Sequence, residues 1–436
     1  MTSAEDSEHP EHAEHAGPSG PAAARLRVLF VVQRYGNEVP GGAELLAREL
    51  ATRLAAGGHD VHVATTCARS YADWGDEYEP GGSTIDGVSV HRFPVARPRD
   101  PDLFADIATR VTLDGEPLAL ELQEEWMRLQ GPWVPALTDW LDEHCTEFDV
   151  AVFVTYLYWT SWAGLRAVAG RLPTLLLPTA HDEATLRLPL FNLLLALPDA
   201  LGFLIDEEQA LVRERFAGAA PGAVLGAGVD IDALASSDDV RRFRERYGVG
   251  DRRYLVVVGR LDPGKGSDEL VDYFVTYRGR NRQRDLALVV VGEPMHEIAA
   301  HPDVIATGFV DEAERRAAVA GAMIAVQPSY FESFSLVLSE AWVQAKPVLV
   351  QRACAVTNGQ VQRSGGGIPY RGYAEFEAAI DLLSDSPDLA ATLGARGRRF
   401  VEERHTWSAV LPRYERVLRA LATAPTSREN SVRSTK

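Results

Sequence analysis

The stretch RLRVLFVVQRYGNEVPGGAELLARELATRLAAGGHDVHVATT (25–66) holds a strand, a glycine turn, a helix and a second strand. The run 25–32 is apolar and rich in Val and Leu, as a strand buried on both faces must be. The run from Gly41 to Gly58 spaces its leucines at helical intervals and closes on glycines. HDVHVATT follows as the next strand. Outward from there the alternation continues through FDVAVFVTY (148–156), PTLLLPT (173–179), ALGFLID (200–206) and PGAVLGAGVD (221–230). Strand–helix–strand repetition with short connections means a parallel sheet covered on both faces. Polar and glycine residues break the rhythm at 226–253, and a second series follows: YLVVVG, LALVVVG, VIATGF, MIAVQP and KPVLVQ. The expected fold class is therefore α/β, with two doubly wound, Rossmann-like domains facing each other across a cleft. Such sheets bind ligands beyond the carboxyl ends of their strands.

Composition narrows the function. The chain has 436 residues, 46% hydrophobic and 24% charged, which suits a soluble protein of two or three domains. The formal net charge of −18 opposes nucleic acid as a partner, because phosphate backbones need a basic footprint. Cys67, Cys145 and Cys354 form no disulfide or zinc pattern, so a reducing cytoplasm is expected. No apolar run is long enough to span a membrane, and the N-terminus lacks a signal-peptide pattern. Residues 1–24 carry five acids and no Lys or Arg, and are read as a disordered acidic tail. His9, His12 and His15 recur there without anything to fix a metal geometry.

Two motifs carry chemistry. YLVVVGRLDPGKGSDEL (254–270) nearly spells a P-loop through Gly259, Gly264 and Lys265, but Gly266 stands where Ser or Thr should hold magnesium. Without the metal, Arg260 and Lys265 remain as two cations over a short arc, enough to neutralise a diphosphate. Their plainer reading is a pair of solvated charges. FESFSLVLSE (331–340) leads into a helix expected to start between Ser333 and Ser335, with a serine cap. A helix N-terminus suits a phosphate or sugar oxygen. Glu332 precedes that end, and Glu340 is placed two turns inside, roughly 12 Å away. Two carboxylates so spaced can each grip a diol, with a diphosphate between them. Alone, Glu332 is as well read as a dipole partner and Glu340 as a surface residue.

A strand ending in G-R, a K-G turn and P-S-x-x-E-x7-E together resemble the donor domain of retaining GT-B glycosyltransferases of family 4. The resemblance extends from about residue 25 to 420. It implies that Arg260 and Lys265 bind the donor diphosphate, Glu340 the ribose and Glu332 the transferred sugar. Backbone at Phe334, Ser335 and Leu336 would contact sugar or phosphate, and Phe309 and Val310 in TGFV would meet the nucleobase. YGNEVPGGAE (35–44) resembles the family's glycine loop, with Gly41 and Gly42 letting backbone near the cleft. PTAHDE (178–183) resembles its His-Asp segment, which places His181 and Asp182 toward the sugar. Gly259 would close the donor strand. The chain departs from the family where E-G-F-G is Glu332-Ser333-Phe334-Ser335, and where Ala227 precedes Gly228-Val229-Asp230. The triplet Asp230-Ile231-Asp232 spells a metal motif of another fold and is read as coincidence.

The domains expected are an acceptor side at 25–226, a donor side at 227–398, a crossover helix at 399–422 and a tail at 423–436. The resemblance implies metal-independent transfer of a hexose from a UDP- or GDP-sugar to an acceptor hydroxyl, with retention. No cofactor beyond the donor is expected. The acceptor would be a glycan, a lipid-linked or a small molecule, with peripheral membrane contact left open. Loops such as 67–85 and 95–135 would read it. The aromatics of YLYWTSW (156–162) are equally a sugar platform or core. A nucleotide-sugar epimerase and a non-catalytic binding subunit are the alternatives.

Overall fold

The computed structural model describes residues 24–112, 119–259, 265–292 and 301–424. The first sheet comprises β1 (Arg27–Val31), β2 (Asp60–Thr66), β3 (Gly81–Ile85), β4 (Val88–Phe93), β5 (Val150–Val154), β6 (Thr174–Leu177), β7 (Ala200–Phe203) and β8 (Gly222–Val224), in the order β3-β4-β2-β1-β5-β6-β7-β8. Only β3 runs antiparallel to its neighbour. The second comprises β9 (Arg253–Val258), β10 (Leu286–Val291), β11 (Val304–Gly308), β12 (Ile324–Gln327), β13 (Val348–Gln351) and β14 (Gly367–Tyr370), all parallel, in the order β11-β10-β9-β12-β13-β14. Strand order reverses between β1 and β5 in one sheet and between β9 and β12 in the other. Those are the switch points where a doubly wound sheet opens a crevice.

Strand alternation splits each core in two. Val28 and Phe30 face one hydrophobic cluster, Leu29 and Val31 the other, so helices cover both faces. The second sheet divides its residues likewise. All three cysteines are buried and unpaired. Tyr156, Trp159 and Trp162 are buried, which makes YLYWTSW core and not an exposed stacking platform.

Several segments expected as loops are regular. Within 67–85, Gly81–Ile85 is an edge strand. It turns into β4 through Asp86 and Gly87, both at positive φ (51° and 81°), as a two-residue Asp-Gly hairpin requires. Within 95–135, Pro101–Thr112 and Leu120–Gln130 are helices. The break at 226–253 holds the helix Ser237–Arg246, entered through a capping box of Ser236 and Asp239.

The chain crosses between the sheets twice at one place. Val229 pairs with Thr406, and its N–H donates to the His405 carbonyl at 2.7 Å. A Cβ on Gly228 would lie 2.3 Å from the Trp407 ring, so no other residue fits that crossing. The helix Trp407–Thr423 then lays Val410, Tyr414 and Leu418 into the first sheet's core. The division drawn at 398/399 falls inside the helix Pro387–Arg404. The actual break between helices is His405–Thr406, and the final helix reaches Thr423.

Candidate active site

The second sheet clears its carboxyl edge with glycine. Gly259, Gly292 and Gly308 end β9, β10 and β11 at φ of 133°, 137° and 70°. A Cβ on Gly292 would sit 2.1 Å from the Gly259 carbonyl oxygen. Backbone bonds from Gly259 N to Val291 O (2.9 Å) and Gly292 N to Gly308 O (3.0 Å) stitch these ends together. Beyond them Phe309 is 77% exposed, whereas Val310 is buried.

Arg260 and Gly264 lie outside the described residues. Lys265 is described, and its Nζ lies 2.9 Å from Glu332 Oε1. Gly266 adopts φ of 66°, and a Cβ there would meet the Pro328 carbonyl at 2.5 Å. The turn carrying Lys265 is thus pressed onto the backbone leaving β12. Gln327, the last residue of β12, donates its amide to Glu332 Oε1 (3.1 Å) and to Ser335 Oγ (2.8 Å). The sequence reading missed Gln327. Its signal was a polar residue closing an apolar strand.

The helix starts later than expected, at Leu336, and ends at Val343. Ser335 occupies the cap position at φ of 69° and makes no side-chain cap bond; its hydroxyl accepts from Gln327. Glu340 is therefore only the fifth helical residue, about 6 Å along the axis from Leu336, and not two turns from Glu332. Its carboxylate meets Arg315 at 3.1 Å. Burial raises its pKa, with Arg315 acting against that. Phe334 is buried in the core of the first sheet and sits edge-on to His405, 5.1 Å between rings. Its carbonyl accepts from Gln360 at 2.6 Å. Leu336 touches cores of both halves. These two side chains join the loop after β12 to the domain crossing.

On the first sheet, Gly41 adopts φ of 143°, and a Cβ there would strike the Glu44 carboxylate at 2.1 Å. Gly42 has nothing within 4 Å of its Cβ position, so close packing does not require glycine there. Glu44 and Arg34 form a buried pair. Glu44 Oε1 accepts from Arg34 Nε at 2.9 Å and from Gln33 at 2.8 Å, while Arg34 Nη2 also holds the Pro40 carbonyl. This network fixes the glycine loop and escaped the sequence reading, because it pairs a strand end with the next helix.

His181 follows β6 and stands 3.7 Å from Glu183. Glu183 in turn accepts from the Tyr156 hydroxyl. The imidazole lies 6.2 Å from the ring of Phe331, the residue before Glu332, so the two halves meet here. Asp182 goes elsewhere. Its carboxylate is over half exposed and binds Arg215 at 2.8 Å. The carboxylate beside His181 is Glu183. Beneath this loop lies Glu208, fully buried, accepting from Ala180 N (2.7 Å) and Leu204 N (2.6 Å). Burial pushes its carboxyl to about 8 against the pull of those amides. Asp230 of the Asp-Ile-Asp triplet is paired with Arg53 at 3.2 Å.

Known proteins are similar to this chain in sequence and in fold. Residues 252–385 match glycosyl transferases group 1. The chain is 32% identical over 226 residues to D-inositol 3-phosphate glycosyltransferase 2 of Catenulispora acidiphila, covering 47% of this chain and 52% of that protein. It is 28% identical over 410 residues to D-inositol 3-phosphate glycosyltransferase of Kineococcus radiotolerans, covering 84% and 87%. In the first match the chain spans about half the relative's length. The structure of sucrose-phosphate synthase from Thermosynechococcus elongatus superposes with a TM-score of 0.69 at 18% identity, covering 92% of this chain and 100% of that one. The fold is GT-B. No helix among the described residues is long and apolar enough to cross a membrane.

Proposed function

We propose that this protein is a glycosyltransferase that moves a hexose from a nucleoside diphosphate sugar to an acceptor hydroxyl, with retention and without a metal. The observation that carries the proposal is the cluster of Lys265, Glu332 and Gln327 beside the glycine-cleared ends of β9, β10 and β11, with His181 facing it through Phe331. The match of residues 252–385 to glycosyl transferases group 1 covers that cluster and supports the reading.

Lys265 and Glu332 form an ion pair. A donor would separate them, its diphosphate taking Lys265 and its sugar hydroxyls donating to Glu332. Arg260 and the amides at the start of the helix Leu336–Val343 would share the phosphate charge. Glu340 and Arg315 would flank the ribose. The bond from the sugar's anomeric carbon to the diphosphate breaks as the acceptor oxygen bonds on the same face. The acceptor's proton passes to the departing diphosphate. Charge grows on the leaving group, so fixed cations and amides there supply the rate. His181, held by the loop above Glu208, orients the sugar.

The test is a thermal-shift panel of UDP, GDP, ADP and TDP sugars, with and without EDTA. Stabilisation by one nucleotide that survives EDTA supports the proposal and names the donor class. Stabilisation by none of them, or only by ATP with magnesium, overturns it.

A further inference from the structure

If Lys265 is to meet a diphosphate, it has to change partners. β12 pairs with β9 in parallel, so the turn after β9, which carries Lys265, and the segment after β12, which carries Glu332, leave the same sheet edge as neighbours. Lys265 Nζ stands 2.9 Å from Glu332 Oε1. The Glu332 side chain is only 12% exposed, against 39% for Lys265. Lys265 must therefore leave a carboxylate that is largely removed from water. A buried charge deprived of its partner is costly, often more so than the pair itself is worth. Another group has to hold Glu332 as Lys265 departs.

Gln327 is placed to do this. It ends β12, is buried, and donates its side-chain amide to the same oxygen, Glu332 Oε1, at 3.1 Å. An ionised carboxylate only accepts, so the amide nitrogen and not its oxygen must face Glu332. The nitrogen also donates to Ser335 Oγ at 2.8 Å. Ser335 sits at φ of 69°, where side chains are seldom found, and its hydroxyl anchors the amide from the start of the helix Leu336–Val343. At the other end of the amide, the buried Ser329 Oγ stands 3.5 Å from Gln327 Oε1. Gln327 is thus held at both ends by neutral groups and aimed at the carboxylate. A hydrogen bond to an ionised acceptor is among the strong ones. It also brings no charge of its own. A second cation at this place would repel Lys265 and compete with it for phosphate, and an apolar side chain would leave Glu332 with one donor fewer.

We infer that Gln327 is a positioning residue that holds the Glu332 carboxylate while Lys265 passes from Glu332 to the donor diphosphate. The inference rests on the transferase reading above. The experiment is a double-mutant cycle on the full chain, read as the Kd of UDP or GDP, whichever binds, by titration calorimetry. Gln327→Met keeps the side-chain volume and removes the donor. It should weaken nucleotide binding about tenfold, because Glu332 then loses one of its donors when Lys265 leaves. In the Glu332→Gln background no anion competes for Lys265, and the same substitution should change Kd by less than about twofold. A merely structural role for Gln327 would cost the same in both backgrounds. Urea denaturation confirms that each variant is folded. Gln327→Asn, whose amide falls one methylene short of Glu332, takes the place of Gln327→Met should that variant unfold. Equal losses in both backgrounds, or no loss beside an intact Glu332, overturn the inference. Binding of neither nucleotide by the wild-type chain sinks the transferase reading and this inference with it, whereas nucleotide binding without coupling sinks only this one.

Discussion

The second sheet prepares its carboxyl edge by removing side chains, and the first prepares its edge by burying charges. Gly259, Gly292 and Gly308 leave the ends of β9, β10 and β11 bare, and the chemistry proposed above them rests on a partly exposed Lys265 and its neighbours Glu332 and Gln327. On the first sheet Arg34, Glu44 and Glu208 are buried and spent on backbone and on one another, which fixes the loops that carry Gly41 and His181. A ligand whose diphosphate enters over bare backbone needs space and one mobile cation. A sugar that must be oriented needs rigid loops. The difference implies that substitutions on the donor side should strike turnover, and those beneath the acceptor side should strike stability first.

The largest effect should come from Lys265→Ala. Removing one preorganised donor to developing charge costs about 10²–10³ in kcat, and a loss of that order is expected here. Its ion pair is partly exposed, so stability should move by less than about 1 kcal/mol. Steady-state kinetics beside urea denaturation separates the two. Wild-type turnover in this variant would abolish the contrast between the sheets. Glu208→Ala should behave oppositely. It leaves two buried amides, Ala180 N and Leu204 N, without acceptors, at about 1–3 kcal/mol each. A loss of about 2–6 kcal/mol by urea denaturation is expected, with donor KM moved far less than the unfolding midpoint.

Titration sharpens the same contrast between Glu208 and the crossing residue His405. Glu208 is raised to about 8 by burial, so the folded state holds its proton where the unfolded chain has lost it. Its contribution is full below the unfolded value near pH 4.3 and is lost as pH rises through 8. His405 is pushed down to about 4, by burial first and then by Arg413 and Arg404. Its contribution is present above about pH 6.5 and is lost as pH falls to 4. The two slopes oppose each other between about pH 4.3 and 6.5, and Glu208 alone acts from there to 8. Wild type should lose about 2 kcal/mol over that alkaline range relative to Glu208→Gln. Parallel stability–pH curves for the two proteins would remove Glu208 from the account.

The same contrast explains what was legible in the sequence. Two α/β halves follow from apolar runs separated by glycine-bounded helices, and Lys265 and Glu332 were each singled out from a short motif at a strand end, although their pairing was not foreseen. The Asp86-Gly87 hairpin was overlooked, since 67–85 was read as a loop. The start of the helix at Leu336 was not legible, since two serines compete and Gln327 reaches Ser335 from the preceding strand. Nor was a first-sheet cavity lined by Glu38, Tyr78 and Arg92, which lie far apart in sequence and meet only because β4 docks beside β2. Buried pairs such as Arg34–Glu44 read in sequence as ordinary surface charges.

Asp182 should give the smallest effect, and it tests the site most sharply because the family resemblance gave it a place beside the sugar. Its carboxylate instead pairs with Arg215, at the end of the helix Asp206–Arg215, and is more than half exposed. Exposed pairs of this kind contribute about 0–1 kcal/mol. Asp182→Asn should therefore change kcat and KM less than about threefold and stability by less than about 0.5 kcal/mol. Glu183→Gln should do more, because Glu183 accepts from Tyr156 and stands beside His181. If Asp182→Asn proves the more damaging of the two, the loop must turn over when a donor binds, exchanging Arg215 for the sugar. The rigid first-sheet edge set against the second would then have to yield at this loop.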